Sequence, residues 1–173
     1  FTEKKYEEAA AVYSKFREDY GRSSEAQTAV HNSLYPLAYC YVALKKYASA
    51  VPAITEALAA NPPLPPERIL ELQFWLGVAN FQIKEGAAAR EALEKFLTMA
   101  DEGRAKNPLF KKQNPISAHT QEARLLAAST WLIEGKNREA ADHFSKIMLL
   151  LEKEDRGRAV IYELYALQEC ADD

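Results

Sequence analysis

The stretch LYPLAYCYVALKKYASAVPAITEALAANP, residues 34–62, carries two apolar stripes with helical spacing. The stripe residues recur every three or four positions, at Leu34, Leu37, Ala38 and Tyr41 and then at Tyr47, Ala50, Ile54 and Ala57. Such spacing places side chains on one face of a helix. The polar pair Lys45-Lys46 separates the stripes and suits a turn. The stretch therefore predicts two short antiparallel helices that pack against each other.

This hairpin resembles a tetratricopeptide repeat (TPR). Members of the family have large apolar, small and aromatic residues at fixed offsets, followed by a proline at the end of the second helix. In this chain the matching positions are Leu34, Leu37-Ala38, Tyr41, Tyr47, Ala50, Ile54, Ala57 and Pro62. The resemblance implies an all-α fold, a right-handed α-α superhelix (solenoid) of antiparallel helical hairpins. The inward alanines Ala9, Ala50, Ala89 and Ala140 are spaced more widely than the family period of about 34 residues. The repeats are therefore divergent, with longer helices or insertions.

The same pattern organises the rest of the chain as a single helical repeat domain over residues 1–173. Its parts are a half repeat (1–20), three hairpins (25–62, 67–102 and 121–152), an inserted loop (103–120) and a terminal helix (159–171). Residues 1–20 look like the second helix of a repeat whose first helix would precede them. We therefore expect the native protein to extend beyond this N-terminus.

In TPR-like arrays the first helix of each hairpin lines a concave groove. The resemblance places the following residues in a partner-binding groove: Asn32, Tyr35, Tyr39, Phe74, Val78, Phe81, Leu125 and Leu132. The groove positions are mostly aromatic and aliphatic, which suits a helical or extended apolar segment of a protein partner. The family's carboxylate clamp uses Lys, Arg and Asn, and of these only Asn32 is present. The resemblance thus implies a non-catalytic scaffold for protein binding.

Two other interpretations of the groove residues remain, and a second surface could also bind a partner. The aromatic residues at helical spacing are also typical of a core. The groove of a larger bacterial envelope protein could instead be filled by its own chain. The second surface is the inserted loop, where Lys106, Lys111 and Lys112 surround Phe110 and could bind an acidic partner. The competing interpretation of that loop is an ordinary solvated surface.

Composition disfavours several other classes of partner. The formal net charge is -3 and the pI is about 5.7, so the chain lacks the concentrated Lys and Arg that bind nucleic acid. No run of residues approaches the roughly 20 apolar positions of a membrane span. Repeating basic and polar base-reading positions, which an RNA-binding repeat needs, are also missing. We therefore expect neither nucleic acid nor a membrane span.

The alternative to a binding scaffold is a catalytic helical domain. His119 with Glu122, and Asp142 with His143, could contribute to a metal site, but neither pair forms a recognised ligand array. The sequence contains no nucleophile elbow, P-loop or dinucleotide-binding turn. We expect no enzyme activity, no cofactor and no metal. A zinc assay separates the two hypotheses, because a metal site predicts stoichiometric zinc.

The two cysteines do not decide the compartment. Cys40 and Cys170 lie in different predicted helices, far apart in an elongated array, which favours free thiols over a disulfide. Free thiols suit a reducing compartment, although secreted repeat proteins can also contain them. The residues Phe16, Tyr20, Gly21, Ser23 and Ala26 resemble a variant found in bacterial envelope repeat proteins, which implies a periplasmic or envelope location. A cytoplasmic location stays open.

Overall fold

The computed structural model describes residues 3–106 and 116–171, and over these ranges every regular element is an α-helix. The helices are α1 (Glu3–Tyr20), α2 (Gln27–Ala43), α3 (Tyr47–Leu58), α4 (Pro66–Gln82), α5 (Gly86–Lys106), α6 (Ile116–Ile133), α7 (Asn137–Met148) and α8 (Lys153–Ala171). They group into two compact units, Phe1–Ile83 and Lys84–Asp173. The all-α fold class is confirmed. Residues 107–115 lie outside the described part.

In the first unit, α2 packs against α1, α3 and α4. The predicted hairpin is present as α2 and α3, which pack side by side across a turn at residues 44–46. Its core contains most of the stripe residues and is formed by Leu34, Ala38, Ala50, Ile54, Ala57, Leu64, Leu72 and Ala79. A smaller cluster of Ala10, Leu37 and Cys40 joins α1 to α2. Because both faces of α2 are buried by neighbours, α2 is the central helix of this unit.

In the second unit, α6 packs against α5 and α7, and α8 packs mainly against α7. The predicted third hairpin corresponds to α6 and α7. Its core is built from small residues around one large ring: Leu125, Ala128, Ala140, Ala141, Phe144, Leu151, Ala159 and Ala166. The alanines allow close approach of the helices, so Phe144 supplies much of the apolar volume between α7 and α8.

Three segments differ from the boundaries expected from the sequence. Helix α5 continues to Lys106 and α6 begins at Ile116, so the predicted loop at 103–120 is shorter at both ends. Helix α8 begins at Lys153 rather than at 159. The added residues of α5 and α8 include Ala, Lys, Arg and Glu, which favour helix even where no apolar stripe marks it. The predicted hairpin 67–102 divides between the units, with α4 in the first and α5 in the second.

A polar cluster that the sequence did not reveal joins α5 to α6. The guanidinium of Arg90 lies 3.7 Å from the ring centroid of Trp131 and donates to Thr130 Oγ1 at 3.0 Å. Its second terminal nitrogen lies 2.9 Å from Glu134 Oε1. Lys136 donates to the other oxygen of this carboxylate at 2.7 Å, and that hydrogen bond is the main reason why the pKa of Glu134 is lowered. These contacts fix α6 against α5.

Replacing two glycines by alanine is expected to change the free energy of unfolding in opposite directions. Gly135 has φ of +69°, where any Cβ is strained, although no atom lies within 4 Å of the Cβ position. Gly157 lies inside α8 and also has open space around that position. We expect Gly135→Ala to lower the free energy of unfolding by about 1 kcal/mol and Gly157→Ala to raise it by about 0.5–1 kcal/mol. Urea unfolding measures both changes in the free energy of unfolding. Changes of the same sign would contradict the positive φ of Gly135 or the helical conformation of Gly157.

Candidate functional site

Four aromatic rings from three helices meet on the first unit. Tyr6 comes from α1, Tyr35 and Tyr39 from α2, and Trp75 from α4. The ring centroids of Tyr6 and Tyr39 are 5.7 Å apart in an edge-to-face arrangement. Those of Tyr39 and Trp75 are 5.5 Å apart, and those of Tyr35 and Trp75 are 5.4 Å apart. These four residues are called the aromatic cluster below.

The position of the cluster follows from the central place of α2. Tyr35 and Tyr39 are four residues apart and so lie on one face of this helix. Because α2 contacts α1 on one side and α4 on the other, its tyrosines meet Tyr6 from one neighbour and Trp75 from the other. Contacts between aromatic rings contribute about 0.5–1.5 kcal/mol each beyond burial. The rings are therefore held in place by one another.

The aromatic cluster borders solvent. Tyr39 is 41% exposed, and Tyr6, Tyr35 and Trp75 are half-buried. A cavity of about 380 Å³ opens beside it between α1 and α2. The cavity is lined by Lys5, Tyr6, Ala9, Tyr13, Tyr35, Pro36, Tyr39, Cys40 and Arg68. Its volume is within the range of ligand-binding pockets, and its wall is aromatic with two cations.

A charged pair on α4 positions Tyr35. The guanidinium of Arg68 lies 4.0 Å from the Tyr35 ring centroid and 3.4 Å from Glu71 Oε2. The Tyr35 hydroxyl donates a hydrogen bond to the same carboxylate oxygen. Burial, followed by that hydrogen bond, raises the pKa of Tyr35 to about 12. The pKa of Tyr39 is also raised, chiefly by its hydrogen bond with the Tyr6 hydroxyl at 3.5 Å.

The raised pKa of Tyr35 predicts a pH-dependent stability difference. With a folded pKa of about 12 and an ordinary value of 10.0, the unfolded chain loses this proton first as pH rises. The contribution of the hydroxyl to folding is therefore complete below pH 10 and is lost as pH rises through 12. We expect the stability difference between the wild type and Tyr35→Phe to shrink over this interval in urea unfolding. A constant difference would mean that the pKa of Tyr35 is not raised in the folded protein.

The groove positions expected on α2 and α4 differ in burial and in which part of the first unit they contact. Tyr35 and Tyr39 belong to the aromatic cluster, whereas Phe74 is only 7% exposed and lies in the core. Val78 and Phe81 are half-buried on α4. Exposed Asn32 faces a different cavity, of about 410 Å³, together with Val12, Tyr13, Phe16, Ala29 and Ser33. Only the two tyrosines of α2 thus join the candidate site.

The groove positions expected in the second unit and the contact residues expected in the loop do not belong to the aromatic cluster. Leu125 is 1% exposed and Leu132 is partly buried against the same core. Lys106 is the last residue of α5. The other three loop residues, Phe110, Lys111 and Lys112, lie outside the described residues. The residues missed from the sequence are Tyr6, Trp75 and Arg68, since no offset in one helix shows which residues of its neighbours will meet it.

A third, more polar cavity of about 430 Å³ lies at the opposite end of the α1–α2 contact. Arg17 and Glu56 form an ion pair in its wall, and Arg17 also donates to the carbonyl of Val30 at 3.3 Å. His31 Nε2 lies 2.6 Å from the carbonyl oxygen of Pro62. Since the charges of Arg17 and Glu56 are already paired, this cavity offers little net charge to a ligand.

The histidines and cysteines form no further site that the structure displays. Within residues 3–106 and 116–171, no group of three or more His, Cys, Asp or Glu side chains is close enough to hold a metal ion. His143 stacks on Trp131 at 5.2 Å, and burial is the largest cause of its lowered pKa. Cys40 is buried and Cys170 is exposed, both as free thiols. In the searched part of the chain, no helix combines the length and apolarity needed to cross a membrane.

Comparison with known proteins gives no match: no family model, curated protein or solved structure is similar to this chain.

Proposed function

We propose that this chain is a non-catalytic protein-interaction module that binds an apolar segment of its partner on the aromatic cluster. The observation that carries the proposal is the contact of four rings from three helices beside an open cavity, with Tyr39 41% exposed. Tyr, Trp and Arg are the residues that most often dominate the binding energy of protein interfaces. All three types occur within this one surface.

The geometry also favours tight contact at low entropic cost. Each ring touches another, and Tyr35 is held further by Arg68 and Glu71. Rings that are already positioned lose little rotamer freedom when a partner binds. A core interpretation explains Phe74 and Leu125 but does not account for the exposure of Tyr39.

The TPR-like arrangement is part of the same proposal. Short turns and packed successive helices in each unit support helical hairpins as the repeating element. We extend this to a right-handed superhelix of divergent repeats, in which α2 is the first helix of the hairpin that it forms with α3. The aromatic cluster would then lie on the face that such arrays use for binding.

Partner capture with matched variants tests the proposal. Tyr39→Glu places a charge within the aromatic cluster, whereas Tyr165→Glu changes a tyrosine of α8 that is 52% exposed. We expect a protein captured from native extract by the wild type to be retained by Tyr165→Glu and lost from Tyr39→Glu, with both variants folded by circular dichroism. Retention by both variants would contradict the proposal. Unfolding of Tyr39→Glu alone would show that the ring is part of the core.

A further inference from the structure

Helix α8 carries apolar side chains on two sides. One side packs into the core of the second unit through Ala159, Tyr162 and Ala166. The other side is exposed to solvent and carries a second apolar stripe, formed by Val160, Ile161, Leu164 and Leu167. These four residues are called the α8 stripe below. A helix that is apolar on both sides is typical of one that has packing neighbours on both sides.

Helix α7 shows what a solvated helix of the same unit looks like. Its exposed residues are all polar, namely Arg138, Glu139, Asp142, Ser145 and Lys146. Between residues 160 and 167 of α8, the exposed residues are instead those of the α8 stripe and Tyr165, which borders it. A contiguous apolar patch of this kind marks an interaction surface, whereas single exposed apolar residues do not.

The exposed area is large enough for a dimer. The residues of the α8 stripe are 38%, 66%, 61% and 49% exposed, and Tyr165 is 52% exposed. With about 150–250 Å² for a fully exposed large side chain, these five residues leave roughly 500 Å² accessible. Two copies packed through this surface would bury about 1,000 Å² from these residues alone, which reaches the lower end of the range for specific protein interfaces.

The spacing of the stripe suits a second helix of the same kind. Val160, Leu164 and Leu167 follow one another at four- and three-residue steps, which is the spacing of the seam between two packed helices. Gly157 continues this seam towards the N-terminus of α8, and no atom lies within 4 Å of its Cβ position. The seam therefore offers both large side chains and a gap that can accept one.

The charges of α8 favour an antiparallel arrangement of two copies. Residues 153–158 carry three basic and two acidic side chains, whereas residues 159–171 carry Glu163 and Glu169 and no basic side chain. Antiparallel packing sets the positive end of each helix beside the negative end of the other, and the helix dipoles have the same preference. A lipid surface is a poorer fit, because helices that lie on membranes are rich in Lys and Arg.

From these observations we infer that two copies of this chain associate through the α8 stripe, with the two α8 helices packed antiparallel about a two-fold axis. The inference concerns a different surface from the aromatic cluster and does not depend on the proposed function. A dimer would carry two aromatic clusters, so it would bind a partner with two suitable segments more tightly than a single chain does.

Sedimentation equilibrium of the full chain tests the inference. At about 100 µM, above the micromolar Kd expected for an interface of this size, the wild type should have twice the 19.5 kDa mass of the chain. Leu164→Glu should weaken association at least about 100-fold, because each dimer would bury two carboxylates without partners. Leu164→Ala should weaken it about tenfold. The matched control is Val12→Glu, which changes a residue of α1 that is 67% exposed and should leave the dimer intact.

A monomeric wild type at this concentration would overturn the inference. A dimer that persists in folded Leu164→Glu would overturn the α8 stripe as its interface. If circular dichroism shows that Leu164→Glu is unfolded, Leu164→Ala decides, and unchanged association of that variant would have the same meaning.

Electron-spin distance measurement tests the orientation of the two helices. A spin label on Lys153→Cys in a Cys170→Ser background marks the first turn of α8, and the remaining Cys40 is buried. At a rise of about 1.5 Å per residue, labels in an antiparallel dimer lie about 30 Å or more apart, and labels in a parallel dimer lie within about 20 Å. We expect the longer distance, and the shorter one would overturn the antiparallel packing.

Discussion

Phe144→Ala is expected to lower the free energy of unfolding of the second unit by about 3–5 kcal/mol. Phe144 is fully buried on α7, and its ring lies 5.5 Å from that of Tyr162 on α8. The surrounding core positions are largely alanines, whose side chains cannot extend into the space left by the ring. Because total stabilities of domains are about 5–15 kcal/mol, the loss is a large fraction of the whole.

The two tryptophans make this measurement specific. Trp75 lies in the first unit and Trp131 in the second, so a Trp75→Phe background leaves Trp131 as a reporter of the second unit. Leu149→Ala is the matched control, since Leu149 is 86% exposed, and it should change stability by no more than about 0.5 kcal/mol. Similar urea midpoints for the two variants would refute the placement of Phe144 in the core.

Arg90→Ala is expected to cost about 2–4 kcal/mol in the same background, from the lost contact with Trp131 and the lost hydrogen bond to buried Thr130. The Arg90 and Glu134 side chains are only 16% and 19% exposed, so solvent does not fully replace the lost partner. Lys136 still neutralises Glu134, which keeps the cost below that of an unpaired buried carboxylate.

Two further variants separate charge from geometry at this position. Arg90→Lys keeps the positive charge but not the planar fork that contacts Thr130, Glu134 and the indole together, so we expect an intermediate cost. Arg138→Ala removes an exposed arginine of α7 and should stay within about 0.5 kcal/mol of the wild type. An Arg90→Lys variant as stable as the wild type would show that charge alone explains the effect.

Sequence periodicity predicted the helices well where packing follows an apolar stripe. Ala38, Ala50 and Ile54 recur at helical steps and are all buried in one core. The ends of α5, α6 and α8 were misplaced because their terminal turns are polar and carry no stripe. At the ends of α5 and α8, the helix-forming residues were a better guide than the hydrophobic pattern.

The candidate site was predictable only in part. Tyr35 and Tyr39 were identified because both lie on one face of a helix with a recognisable pattern. On α4 the expected position was Phe74, but the neighbouring Trp75 is the one that reaches the aromatic cluster. Adjacent helical residues point about 100° apart, so an error of one position exchanges a core residue for a surface residue. Tyr6 and Arg68 required knowledge of which helices meet.

Site-specific photo-crosslinking tests most directly whether a partner contacts the aromatic cluster. Benzoylphenylalanine in place of Tyr39 reports on the cluster, and the same group in place of Tyr165 reports on an aromatic position of comparable exposure on α8. We predict a discrete adduct with one partner from position 39, absent from position 165. Adducts from position 165 and none from position 39 would contradict partner binding at the aromatic cluster.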